Sequence, residues 1–118
     1  ILLARKGSGK MYYPVSAHLI EFLILSVLQK EDSYGYEISR TVKLVADIKE
    51  STLYPILKKL EKNGFMTTYT KEYQGRKRKY YSLTDAGVEE LKFLNSEWIS
   101  YRDTIDDIVE GRMKDENR

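Results

Sequence analysis

Hydrophobic residues crowd one early stretch of the chain and then thin into periodic patterns. Between Ser16 and Lys30, the residues Leu19, Ile20, Phe22, Leu23, Leu25, Val27 and Leu28 cover most of a helical circumference, which predicts a helix buried on several sides. The stretch KEDSYG breaks it. A second helix is predicted from about Tyr34 to Leu44, with Ile38, Val42 and Val45 on one face. In VADIKESTLYPILKKLEKNG, Leu53, Ile56, Leu57 and Leu60 share a face while Ser51, Pro55, Lys58, Lys59 and Lys62 lie opposite. Gly64 stops this third helix as a C-terminal cap would. Its start is left open by Pro55, because proline suits a first helical turn and further in removes a backbone hydrogen bond.

The pattern then changes to that of strands. FMTTYTKEY and RKYYSL are rich in Tyr, Thr and Phe, and QGRK between them supplies a turn glycine, which predicts a β-hairpin with a basic tip. Thr84 is placed to cap a long last helix, with Asp85 favourable at its positive end. Along that helix Leu91, Trp98 and Ile105 recur every seven residues, as do Leu94, Tyr101 and Ile108. This is a coiled-coil seam, suited to pairing with another chain and also compatible with packing onto the chain's own body.

Length and composition narrow what such a chain can be. The 118 residues, 42% of them hydrophobic, suffice for one domain with a small core. The absence of cysteine excludes disulfides, thiolate metal sites and a cysteine nucleophile. With one histidine and acids patterned on helix surfaces, neither an enzyme nor a structural metal site is expected, nor any cofactor. The most apolar stretch, the ten residues from Leu19 to Leu28, includes Glu21 and Ser26 and falls far short of the roughly 20 residues that span a bilayer. No secretory signal is visible either, so a cytoplasmic protein with no membrane partner is expected. Ile1 to Lys10 are expected to be an N-terminal extension ahead of Met11; their GSGK lacks the first glycine and the hydroxyl of a phosphate-binding loop.

Net charge is only +2, but its distribution is uneven. Lys49 to Lys79 holds nine Lys/Arg against three Asp/Glu, and Thr84 to Arg118 holds five against ten. A basic middle suggests a surface that faces a polyanion.

Three helices, a hairpin with a basic tip and a trailing helix make the order of a winged helix-turn-helix. In that arrangement the third helix enters the DNA major groove and the hairpin lies along the backbone or minor groove. The expected fold is thus mainly α with a small β-hairpin, a winged helix-turn-helix over residues 11–83 followed by a dimerisation helix and tail over 84–118. Arg76, Lys77, Arg78 and Lys79 would sit at the hairpin tip or its edge, where cations neutralise phosphates. A solvated charged hairpin that merely keeps an edge strand from aggregating is the plainer reading of the same residues.

SYGYEI, STLYPILKKLEKNG and GRKRKYYSLTDAG resemble the signature segments of the PadR family of bacterial transcriptional regulators, a resemblance covering about Tyr13 to Gly111. It implies a homodimeric winged-helix repressor of the family's short branch, with the last helix as the dimer element and a double-stranded operator as partner. It also implies that the third helix begins before Pro55 and carries Ser51, Thr52, Tyr54, Lys58 and Lys59 as recognition residues. Thr52 and Tyr54 are candidates for phosphates or base edges and Lys58 for phosphate; Tyr54 is equally suited to packing with a wet hydroxyl. Tyr34 and Tyr36 are candidates for phosphate contact or core packing. Gly75 makes the turn, Arg76, Lys77 and Arg78 are its cations, and Lys79 belongs to the strand. Lys49, where family members often have a small polar residue, caps weakly.

Leu91, Leu94, Trp98, Tyr101, Ile105 and Ile108 are the expected dimer interface. The short branch resembles proteins that sandwich flat aromatic effectors between tryptophans, which makes Trp98 the candidate effector contact; the plainer reading is an apolar filler. The rival function is a winged-helix interaction module whose acidic last helix, with Asp103, Asp106, Asp107 and Glu110, binds a protein.

Overall fold

The computed structural model describes residues 13–112. The elements run α1 (Ala17–Lys30), β1 (Ser33–Tyr34), α2 (Gly35–Val42), α3 (Glu50–Lys62), β2 (Met66–Tyr73), β3 (Arg76–Leu83) and α4 (Asp85–Val109). The extension expected at residues 1–10 lies outside the described residues.

α1 is the element around which the others pack. Ser16 caps it by accepting the Leu19 N–H at 3.2 Å, and Ile20, Ile24, Leu25 and Leu28 are buried. Ile38 and Val42 of α2, Leu53, Leu57 and Leu60 of α3, Met66 of β2, Tyr81 of β3 and Leu91 of α4 close the same core. Of the periodic positions read from the sequence, Ile38, Val42, Leu53, Leu57 and Leu60 meet there, whereas Val45 lies past the end of α2 and outside this core.

The sheet has a third strand that no local pattern announced. Its order is β1-β3-β2, all antiparallel, with Ser33 opposite Tyr81 and Tyr34 opposite Tyr80. Because Ser33 and Tyr34 are spent on this pairing, α2 starts one residue later than expected. It also ends earlier, since Leu44 and Val45 donate to Thr41 and Val42, three residues back, in tight turns.

α3 extends through Pro55, from Glu50. The ring deletes the donor that would meet the Ser51 carbonyl, and both residues face solvent, where water can serve instead. Lys49 gives α3 no side-chain cap. The other end is better fastened. Gly64, at φ +84°, lets its own N–H reach the Glu61 carbonyl and the Phe65 N–H reach that of Leu60, both at 3.0 Å.

That corner also anchors α4. The Thr84 hydroxyl donates to the Gly64 carbonyl at 2.6 Å and accepts the Gly87 N–H at 3.0 Å, while the Thr84 N–H bonds the Phe65 carbonyl at 3.1 Å. Gly87 lies so close to the Phe65 carbonyl that a β-carbon there would overlap it. Beyond its first turns α4 leaves the body, and the molecule is elongated, 63 × 36 × 23 Å. No helix among the described residues is long and apolar enough to cross a membrane.

Candidate nucleic-acid interface

The outward face of α3 is polar and projects from the core. With Leu53, Leu57 and Leu60 turned inward, Ser51, Thr52, Tyr54, Pro55, Lys58 and Lys62 are exposed. Lys59 differs from its neighbours. Its ammonium lies 3.0 Å from a carboxylate oxygen of Glu21, a side chain of α1 that is only 6% exposed as a residue. His18 also approaches Glu21, at 3.6 Å. A carboxylate so placed requires a partner. Lys59 therefore ties α3 to α1, while Lys58 points to solvent.

Tyr54 lies across the start of α2. A β-carbon built on Gly35 would come within 2.8 Å of the Tyr54 hydroxyl oxygen and 2.9 Å of Cε1. Only glycine admits the ring there, and 43% of Tyr54 remains exposed. With Lys58, Glu61, Lys79 and Tyr81 it lines a crevice of about 240 Å3 where α3 meets the sheet. Glu61 accepts the Thr68 hydroxyl at 3.3 Å and holds Lys79 at 3.9 Å. Burial, then the charge of Glu61, raises the Tyr81 pKa above its ordinary value.

The hairpin turn is shorter than the sequence suggested. Gln74 at φ +52° and Gly75 at φ +79° alone make it, a two-residue turn with both central residues left-handed. β3 consequently begins at Arg76, not Arg78, and the four cations are strand residues whose side chains alternate between faces. Lys77 and Lys79 share the α3 side with Tyr81; Arg76 and Arg78 share the outer side with Tyr80.

The outer side is a tyrosine cluster. Tyr69 and Tyr80 stack with centroids 5.6 Å apart, and Tyr34 meets Tyr80 edge-on at 5.5 Å. The Arg78 guanidinium lies 4.0 Å from the centroid of Tyr34 and 4.0 Å from that of Tyr73. The Tyr69 hydroxyl donates to Asp32 at 2.7 Å, and this bond above all raises the Tyr69 pKa. Tyr34 thus packs on the sheet; Tyr36, next but one, is exposed. Among the described residues, Lys58, Lys62, Arg76 and Lys77 have no carboxylate at ion-pair distance.

The seam on α4 divides. Leu91 is buried in the protomer's own core and Leu94 packs partly against it. Farther on, Trp98 is half-buried beside Tyr101, their centroids 6.1 Å apart, and Tyr101, Ile105 and Ile108 stand in solvent together with Phe93 and Val109.

Sequence reasoning did not find the Glu21–Lys59 pair, the Gly35 seat or the rings around Arg78. The adjacency of Tyr34 and Gly35 was the one visible sign of the last two.

Comparison with known proteins gives this geometry a context. The model of the transcriptional regulator PadR-like family matches residues 24–93. The crystal structure of smu.1704 from Streptococcus mutans UA159 is 65% identical, superimposes with a TM-score of 0.87, and is matched over 90% of this chain and 100% of its own. A PadR family transcription regulator from hypervirulent Clostridium difficile R20291 is 34% identical, with a TM-score of 0.70 over 76% of this chain and 97% of its own. The negative transcriptional regulator PadR of Bacillus subtilis is 35% identical over 101 residues, 80% of this chain and 53% of that protein.

Proposed function

The chain belongs to the PadR-like family of transcriptional regulators, and from that premise we propose that it binds a double-stranded operator as a homodimer and represses transcription there. The observation that carries this reading is the pairing of two exposed basic elements. The face of α3 bearing Ser51, Thr52, Tyr54 and Lys58 stands beside a hairpin bearing Arg76 and Lys77, and among the described residues none of these cations has a carboxylate at ion-pair distance, although Glu72 stands opposite Lys77 across the strands. Such cations bind phosphates by displacing counterions, while the hydroxyls and Tyr54 supply groups that can address bases. Residues 11–83 form the DNA-binding unit in this reading and 84–118 the dimerisation helix and tail. Repression is also the activity named for the Bacillus subtilis relative.

What supports a homodimer is the exposed part of α4. Tyr101, Ile105, Ile108 and Val109 form an apolar stripe that a lone protomer would leave wet, and a second copy offers the same stripe in a two-fold arrangement. Each protomer brings one α3, so half-sites are spaced about one helical turn apart, roughly 34 Å. Trp98, half-buried at the start of this stripe, is the contact for a small hydrophobic or aromatic effector that releases the operator. The protein acts in the cytoplasm, where its operator is.

Fluorescence anisotropy against the promoter upstream of its own gene, and against scrambled DNA, at several salt concentrations, tests the reading. Tight promoter-selective binding with a steep salt slope is expected. Equal weak binding to both would favour a module whose acidic α4 engages a protein. Trp98→Ala is expected to weaken dimerisation or effector response; a variant that moved neither would reduce Trp98 to filling.

A further inference from the structure

The hairpin cations share a sequence run but not a physical situation. On the outer face of the sheet, Lys71 stands directly opposite Arg78 in the β2–β3 register. Like charges so placed repel. Among the described residues, the carboxylate in contact with this cluster, Asp32, is engaged by the Tyr69 hydroxyl. Tyrosines supply the compensation: Arg78 sits 4.0 Å from both the Tyr34 and Tyr73 centroids and donates to the Tyr80 hydroxyl at 3.5 Å, and Lys71 lies 5.7 Å from the Tyr80 centroid. Only a planar guanidinium can present one face to each of two rings; an ammonium cannot.

The three residues come from three strands. Tyr73 is the last residue of β2, Arg78 belongs to β3, and Tyr34 ends β1 and leads directly into α2. Tyr34 gives α2 no side-chain cap bond, so its ring is free for the sheet. Its neighbour Gly35 is where Tyr54 of α3 rests. One dipeptide, Tyr34-Gly35, thus receives the hairpin on one residue and α3 on the next.

We propose that Arg78 is a positioning residue: held against the rings of Tyr34 and Tyr73, it fixes the hairpin relative to α2 and α3, and the hairpin's phosphate contacts belong to Arg76 and Lys77. The second half rests on the DNA-binding reading above; the first half does not. A hairpin fixed before DNA arrives spends less affinity on being ordered by it.

Hydrogen exchange of the DNA-free protein, followed at the β2–β3 amides between Thr70 and Lys79, tests the first half. Arg78→Lys keeps the charge and removes the plane, and is expected to speed exchange there about tenfold, the scale of two exposed cation–π contacts. Tyr34→Phe keeps the ring and should leave exchange unchanged. In promoter titrations Arg78→Lys is expected to lower affinity about tenfold with the salt slope intact, whereas Lys77→Ala lowers the slope by about one with hairpin exchange intact. Parental exchange rates in Arg78→Lys would overturn the proposal. So would parental affinity in Arg78→Lys together with a slope lowered by about one in Arg78→Gln, which would make Arg78 a phosphate contact. Should the parent protein bind no DNA, the operator reading falls and the exchange measurement still decides the role of Arg78.

Discussion

The ring of Tyr54 occupies the space that a side chain on Gly35 would need, its hydroxyl oxygen 2.8 Å from where a β-carbon would stand. A residue of α3 is thereby seated on the first residue of α2. Gly35→Ala is expected to displace the ring, which is partly exposed and free to swing, while the gain in helix propensity offsets the crowding. Stability should change by less than about 1 kcal/mol. Promoter affinity should fall several-fold, and comparing chemical denaturation with anisotropy titration separates the two effects.

Lys58 and Lys59 are adjacent and should behave as different kinds of residue. Lys58→Ala is expected to lower the slope of log affinity against log salt by about one and to leave stability within about 0.5 kcal/mol. Lys59→Ala leaves the buried Glu21 carboxylate with only His18 nearby, at 3.6 Å, among the described residues. The cost should be about 1–2 kcal/mol, less than for a fully buried pair because Lys59 itself is 58% exposed. Denaturant midpoints for the two single variants, and recovery in Lys59→Ala/Glu21→Gln, check the assignment.

Alkaline pH should loosen the join between the hairpin and the loop before β1. The bond to Asp32 comes first among the causes that raise the Tyr69 pKa, followed by burial and the Asp32 charge. A phenol whose folded pKa is raised contributes stability that is complete below its unfolded value, near about 10, and is lost as pH rises through the folded value. Melting temperatures between about pH 8 and pH 12 should fall above about pH 10, and less for Tyr69→Phe than for the parent. Tyr81, raised chiefly by burial, leaves a residual alkaline loss in that variant.

The two ends of the α4 seam are expected to respond oppositely to substitution. Leu91→Ala should cost about 2–5 kcal/mol of protomer stability, as a buried leucine does. Ile105→Glu with Ile108→Glu should leave the protomer folded and shift it from dimer to monomer in sedimentation velocity. A dimer that survives this double change would place the interface elsewhere.

Particular residues show which physics is local enough to read from sequence. The faces of α1, α2 and α3 were legible because Ile38 and Val42, or Leu53, Leu57 and Leu60, lie a few residues apart and report a helical period. Thr84 as a cap and Gly64 as a stop were legible for the same reason. β1 was not, because two residues carry no period and its partner lies nearly fifty residues away. The hairpin was legible, but its exact turn depended on Gln74 accepting positive φ, a cost that composition does not show. Lys59 and Arg78 looked like solvent-facing cations because charge is visible in a sequence and neither Glu21 nor the rings of Tyr34 and Tyr73 announce themselves as their destinations.

The corner where Thr84 and Gly87 meet Gly64 and Phe65 leaves no soft joint between the end of α3 and the beginning of α4. In the proposed homodimer, the tilt at which two copies of α4 cross would be handed rigidly to the two α3 helices. On the proposed operator reading, the separation of half-sites would be an inheritance of that stitched corner, and a molecule wedged into the seam would change the protein's sense of distance along DNA without touching a single base.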